Sequence, residues 1–103
     1  MILFADVLYA VSRATGVTPR EIRSRDRTQR VAIARQMAMY LMRELTSESW
    51  EKIGLHVKRD HSTVMHGHFQ IAKRVAAAPG FRESMAVTRT AITGAPEVNG
   101  CQA

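Results

Sequence analysis

Residues 53–66 read Ile53-Gly54-Leu55-His56-Val57-Lys58-Arg59-Asp60-His61-Ser62-Thr63-Val64-Met65-His66, and this stretch decides the fold. To its left, Ser49 is a capping residue for a short helix from Trp50 to Leu55. A tight turn, His56 to Arg59, follows. Asp60 then caps a longer helix, where an acid also complements the helix dipole. Val64, His68, Ile71 and Val75 recur at helical spacing and mark its inner face. A short helix, a tight turn and a second helix opening in polar residues form a helix-turn-helix pattern. In such a unit the second helix enters the major groove with its first turn against the base edges. Its free backbone N–H groups face phosphate. His61, Ser62 and Thr63 are short donors and acceptors at that position, and the Thr63 methyl suits a thymine methyl. Asp60 can cap the helix and also accept from a cytosine amino group. Lys58 and Arg59 flank the turn where backbone phosphates lie.

Upstream, Val31, Ala34, Ala38, Leu41 and Leu45 give a buried stripe to a helix over 29–45, with Met37, Met39, Tyr40 and Met42 widening its apolar surface. This spacing places Arg35 and Gln36 off the stripe. Before it, Thr18, Pro19 and Glu21 fall at N-cap, N1 and N3 of a short helix, a capping box, with Val17 and Ile22 as its hydrophobic staple. That helix ends near Arg23 in a basic loop. Leu3, Val7, Val11 and Ala14 mark a first helix over 2–15, which Gly16 ends. Downstream, Pro79-Gly80 stops the second helix of the pair. Phe81, Met85, Thr88 and Ile92 then form a last helix. The expected architecture is all-α, a compact bundle of about six helices over residues 1–93, with a flexible tail over 94–103.

Length and charge agree with one nucleic-acid-binding domain. The chain has 103 residues, 46% hydrophobic and 23% charged, the balance of an ordinary globular protein. Net charge is +6, the pI is near 10.5, and the cations are mostly arginine, which suits forked contacts to phosphate and guanine. The charge is localised. Arg20, Arg23, Arg25, Arg27, Arg30 and Arg35 outweigh Glu21 and Asp26 within 20–36, and Lys58, Arg59, Lys73 and Arg74 outweigh Asp60 within 56–74. Two such clusters in one small domain are the footprint of a polyanionic partner.

Other readings are weaker. No apolar run reaches membrane length, and Met1 to Asp6 lacks the form of a signal peptide. A single cysteine, Cys101, gives neither a disulfide nor a cysteine-rich zinc framework, so a cytoplasmic setting is expected. His56, His61, His66 and His68 cluster in sequence, but no carboxylate or thiol completes a metal set. His68 reads as an inner-face histidine and His66 as a half-exposed partner of phosphate or of the turn. The methionines read as core, and Trp50 as packing. Glu51 and Asp60 have no nucleophile beside them. No metal, no cofactor and no catalysis are expected.

Ile53-Gly54, then Lys58-Arg59-Asp60-His61-Ser62-Thr63-Val64-Met65-His66 and Ile71, resemble the signature of the C-terminal DNA-binding domain of the bacterial replication initiator DnaA. Arg35-Gln36-Met37-Ala38-Met39-Tyr40-Leu41 and Arg43-Glu44-Leu45-Thr46 resemble the helix that precedes it in that domain. The likeness covers roughly residues 2–93. It implies an all-helical fold related to the Trp repressor and monomeric, sequence-specific binding to asymmetric DnaA boxes in double-stranded DNA. It further implies base contacts in the major groove by Asp60, His61, Ser62 and Thr63, a minor-groove contact by Arg27, and phosphate contacts by Arg35, Gln36 and Arg59. Lys58 is added from the local geometry.

The sequence also departs from the family. Gly67 stands where a small Ala or Ser is usual and should weaken the helix by roughly 0.5–1 kcal/mol relative to alanine. Gln70 replaces a commonly charged residue, and Ser62 the commoner threonine, so box preference is expected to shift or relax. The 103 residues contain no G-x-x-x-x-G-K-[ST] loop, so a stand-alone domain without the family's ATPase module is expected. Its role would be to regulate replication initiation or transcription from those sites. A different reading is an adaptor that keeps the fold but binds the full-length initiator or another protein.

Overall fold

The computed structural model describes residues 1–94, and residues 95–103 of the expected tail over 94–103 lie outside the described residues. Six helices follow in order: α1 Phe4–Thr15, α2 Pro19–Ile22, α3 Gln29–Thr46, α4 Trp50–Val57, α5 His61–Ala77 and α6 Pro79–Thr93. Every regular element among the described residues is helical. Helix α3 is central and packs against α1, α2, α4 and α5, while α6 closes the bundle over α1 and α5.

Local signals in the chain set the helix ends. Asp6 reaches back to accept the Leu3 N–H at 2.8 Å, so α1 begins at Phe4 rather than at residue 2. Leu3 therefore precedes the first turn and is exposed, as is Ala14. The inner face of α1 is Val7, Leu8, Ala10 and Val11, shifted from the expected stripe. Gly16 caps its end in the left-handed conformation, φ 78°. Helix α2 has the full capping box: Glu21 N–H donates to Thr18 Oγ1 at 3.1 Å, and Thr18 N–H to Glu21 Oε1 at 2.9 Å. Its staple residues Val17 and Ile22 are both fully buried.

Helix α4 runs two residues beyond Leu55. Ile53 and Val57, one turn apart, are both fully buried and carry the inner face onward. Pro79-Gly80 divides α5 from α6 without making a loop. Pro79 is the first residue of α6, where its missing N–H would have no helical partner anyway.

Val31, Ala34, Met37, Ala38, Met39, Leu41 and Met42 of α3 form the middle of the core. Val11, Ile22, Ile53, Val64, Ile71 and Met85 meet them from the surrounding helices. The methionines of α3 are core, as their spacing indicated. Trp50 packs at the edge of the core with the Arg43 guanidinium 4.2 Å above its ring. His68 lies on the inner side of α5. It stacks on Tyr40 at 4.8 Å and places Nε2 3.0 Å from the Glu44 carboxylate.

Gly67 sits where α5 crosses α3. A Cβ there would come within 2.6 Å of the Met39 methyl and 3.2 Å of Gln36 Cγ. Met39 thus occupies the room that a side chain at 67 would need, so Gly67 contributes close helix packing as well as a propensity cost.

Candidate nucleic-acid interface

The turn between α4 and α5 is tight for two local reasons. Lys58 adopts the left-handed conformation, φ 62°, and the Arg59 N–H returns to the Gly54 carbonyl at 2.9 Å. A Cβ on Gly54 would collide with the Arg59 carbonyl oxygen, so only glycine permits this approach. The chain then enters α5 through Asp60, whose Oδ1 accepts the Thr63 N–H at 2.8 Å. That bond is the main reason the Asp60 carboxyl lies below the usual aspartate range, with the nearby His61 adding to the effect. His61, Ser62 and Thr63 are all exposed on the first turn of α5.

Beside this turn lies the basic loop over residues 23–28. Thr28 donates both its N–H, at 2.8 Å, and its hydroxyl, at 2.7 Å, to Asp26 Oδ1. The Ser24 hydroxyl donates to Glu21 O at 2.6 Å and accepts from Asp26 N–H at 3.1 Å. The loop is therefore closely wound although it is neither helix nor strand. Arg25 and Arg27 are exposed on it.

Arg35 departs from expectation. It is 5% exposed, not off the buried face. Its Nε donates to Ile22 O at 2.7 Å, and its Nη2 to Ser24 O and Asp26 O, each at 3.0 Å. Burial, and after it the neighbouring Arg59 charge, push its pKa below the ordinary arginine value. In this arrangement the Arg35 guanidinium holds the basic loop from inside. The signal was present in the spacing, since Val31, Arg35, Ala38 and Met42 follow i, i+4, i+7, i+11 along the inner side of α3.

Arg59 is half-buried and has a related task. Its Nη2 donates to Ser24 O at 2.9 Å and its Nη1 to Lys58 O at 2.9 Å. Sequence reasoning missed this tie between loop and turn, and a second one in which Arg23 Nε donates to His56 O at 2.8 Å. Neither has a periodic signature, because both join residues more than thirty positions apart to a backbone carbonyl. Gln36 is half-buried on α3 against Gly67, and Lys58 is exposed.

The structure thus brings Lys58, Arg59, Asp60, His61, Ser62 and Thr63 together at one end of α5. The loop bearing Arg27 is bonded to that end through Ser24, and Arg35 and Gln36 lie behind it. His66 is exposed one turn further along α5, with Gln70 Nε2 at 3.4 Å. Among the described residues, no three His, Cys, Asp or Glu side chains converge as metal ligands, and no helix is long and apolar enough to cross a membrane.

Comparison with known proteins agrees with this geometry. Residues 4–71 match the family model described as the bacterial dnaA protein helix-turn-helix. The chain is 40% identical over 88 residues to the chromosomal replication initiator protein DnaA of Streptococcus mutans, covering 84% of this chain and 20% of that protein. The DnaA of Streptococcus agalactiae is 44% identical over 78 residues, covering 75% and 17%. That of Deinococcus radiodurans is 38% identical over 92 residues, covering 89% and 20%. The chain spans about a fifth of the length of these relatives. With the matched region running from α1 into α5 and containing α4, the turn and the first part of α5, the chain belongs to the bacterial DnaA helix-turn-helix family.

Proposed function

We propose that this protein binds double-stranded DNA sequence-specifically at DnaA-box-like sites and thereby acts in the control of replication initiation or of transcription. The observation that carries the reading is the exposed first turn of α5, His61 to Thr63, tied through Ser24 to an exposed arginine loop. A helix start of this kind fits the major groove, and an arginine projecting beside it fits the adjacent minor groove. Asp60, His61, Ser62 and Thr63 read base edges. Arg27 reads the minor groove. Lys58, Gln36 and Arg59 hold phosphate, with Arg59 doing so while it ties the turn. Arg35 acts through the loop it holds. The site it reads is asymmetric, so one monomer suffices, and the setting is the cytoplasm, on the nucleoid.

The test is fluorescence anisotropy on a DnaA-box duplex and a scrambled duplex of equal length at moderate salt. Specific binding predicts a clear preference for the box, and equal affinity for both overturns it. Its relatives are chromosomal replication initiators, which makes a full-length initiator a natural partner or competitor at the same sites. Pull-down from nuclease-treated extract separates an adaptor: retention of an initiator without DNA would favour that reading.

A further inference from the structure

Behind the reading turn lies an open cleft of about 440 Å³, lined by Leu8, Pro19, Arg20, Arg23, Ser24 and Lys58. Its three cations come from two parts of the chain, α2 with its end and the turn before α5. Arg20 is on α2, Arg23 is the residue that ends α2, and Lys58 is the left-handed residue of the turn before α5. No carboxylate lines it. The acid nearest in sequence, Glu21, is engaged elsewhere: it accepts the Thr18 N–H at 2.9 Å and pairs with Arg30 at 3.4 Å. Among the described residues no carboxylate pairs with the side chain of Arg20, Arg23 or Lys58. Arg23 is oriented by its Nε bond to His56 O.

Three cationic residues lining one cleft, with no carboxylate among them, make it a favourable place for an anion. The lining of the cleft includes Ser24, whose carbonyl is held by both Arg35 and Arg59. The cleft is therefore continuous with the loop that bears Arg25 and Arg27. A nucleic-acid strand leaving that loop would pass these cations.

We propose that the Arg20–Arg23–Lys58 cleft is a further phosphate-binding site that takes a backbone phosphate of the DNA flanking the box and so lengthens the footprint. This rests on the DNA-binding reading above. The contact is to phosphate, so it adds affinity without adding base discrimination. Each phosphate neutralised on duplex DNA contributes about 0.9 to the slope of log K against log salt.

Arg20→Ala tests the site. The position is exposed on α2, and alanine is a good helix former, so folding is retained. Binding is measured against salt on a minimal box duplex, on the same box with a half-turn of DNA added at each end, and on a scrambled long duplex. The expected result is an affinity loss of about threefold to tenfold on the long duplexes and a salt slope lower by about 1. The minimal duplex is bound as before, and the ratio of box to scrambled is unchanged. An unchanged slope on the long duplex overturns the site, even where wild type prefers the box. A lowered slope with no box preference in the wild type keeps the site and removes the specific reading. No binding to any duplex removes both. A parallel titration with inorganic phosphate, read from the Arg20 and Arg23 side-chain Nε–H resonances, identifies the other source of the anion. Saturation at low millimolar phosphate with an unchanged DNA slope assigns the cleft to a small anion and overturns the DNA contact.

Discussion

Arg35 and Arg59 donate to the same oxygen: Nη2 of each lies at 3.0 and 2.9 Å from the Ser24 carbonyl. One comes from inside α3 and the other from the turn before the reading helix. Two guanidinium groups on one acceptor repel each other, and this repulsion contributes, after burial, to the lowered pKa of Arg35. The arrangement holds because the loop carbonyls need donors and have no helical ladder to supply them. Its consequence is that the arginine loop is bonded both to α3 and to the start of α5.

Arg35→Ala should therefore act as a folding mutation first. It leaves the carbonyls of Ile22 and Asp26 without the Arg35 donor, which costs about 2–4 kcal/mol. Urea unfolding measures this directly. A direct phosphate contact predicts otherwise: unchanged stability, and a salt slope for DNA binding lower by about 1.

Lys58→Gly should separate stability from binding. Lysine at φ 62° is strained by roughly 1 kcal/mol, and glycine is not. Greater backbone freedom in the unfolded chain offsets part of that gain. The thermal midpoint should stay level or rise, while DNA affinity falls and the salt slope drops by about 1. A fall in midpoint would show that the Lys58 side chain stabilises the turn.

Gly67→Ala should fail to give the gain that helix propensity alone predicts, about 1 kcal/mol. The new Cβ meets the Met39 methyl, which is itself buried. In a Met39→Leu background, where the side chain is shorter, the same change should be more favourable. A double-mutant cycle reads the difference, expected at about 0.5 kcal/mol or more. Additive effects would mean that the two positions do not compete for space.

Stability should fall as pH drops below about 6.5, the ordinary histidine value. Burial, and after it the Arg23 charge, lower the His56 pKa in the folded protein. The unfolded chain then binds the proton first, so this contribution is complete above the unfolded value and lost as pH falls through the folded one. The lowered carboxyls of Glu21, Asp26 and Asp60 give the same sign at lower pH, through their own unfolded range near 4. Chemical denaturation of His56→Gln across pH 7 to 5 should show a flatter profile than wild type.

Much of this was legible because its signals are local. Thr18, Pro19 and Glu21 state a helix start within four residues, and Asp60 does the same for α5. The helix-turn-helix follows from Gly54 to Asp60 read against the apolar spacing on either side. Arg35 was misplaced because its charge outweighed its position on the inner side of α3. The ties from Arg23 and Arg59 to distant backbone carbonyls leave no trace in spacing, so the close bonding of the basic loop was not legible. The Gly67–Met39 contact needs the crossing of two helices, which a single helix pattern does not contain.

The most direct measurement of base reading by α5 is the affinity of wild type and His61→Ala for a box duplex and for single-base variants of it at one salt concentration. Readout by His61 predicts a loss of about 1–3 kcal/mol on the box, with discrimination relaxed at one base position and kept at the others. A His61→Ala protein that discriminates every position as wild type does would contradict the placement of this turn against the bases.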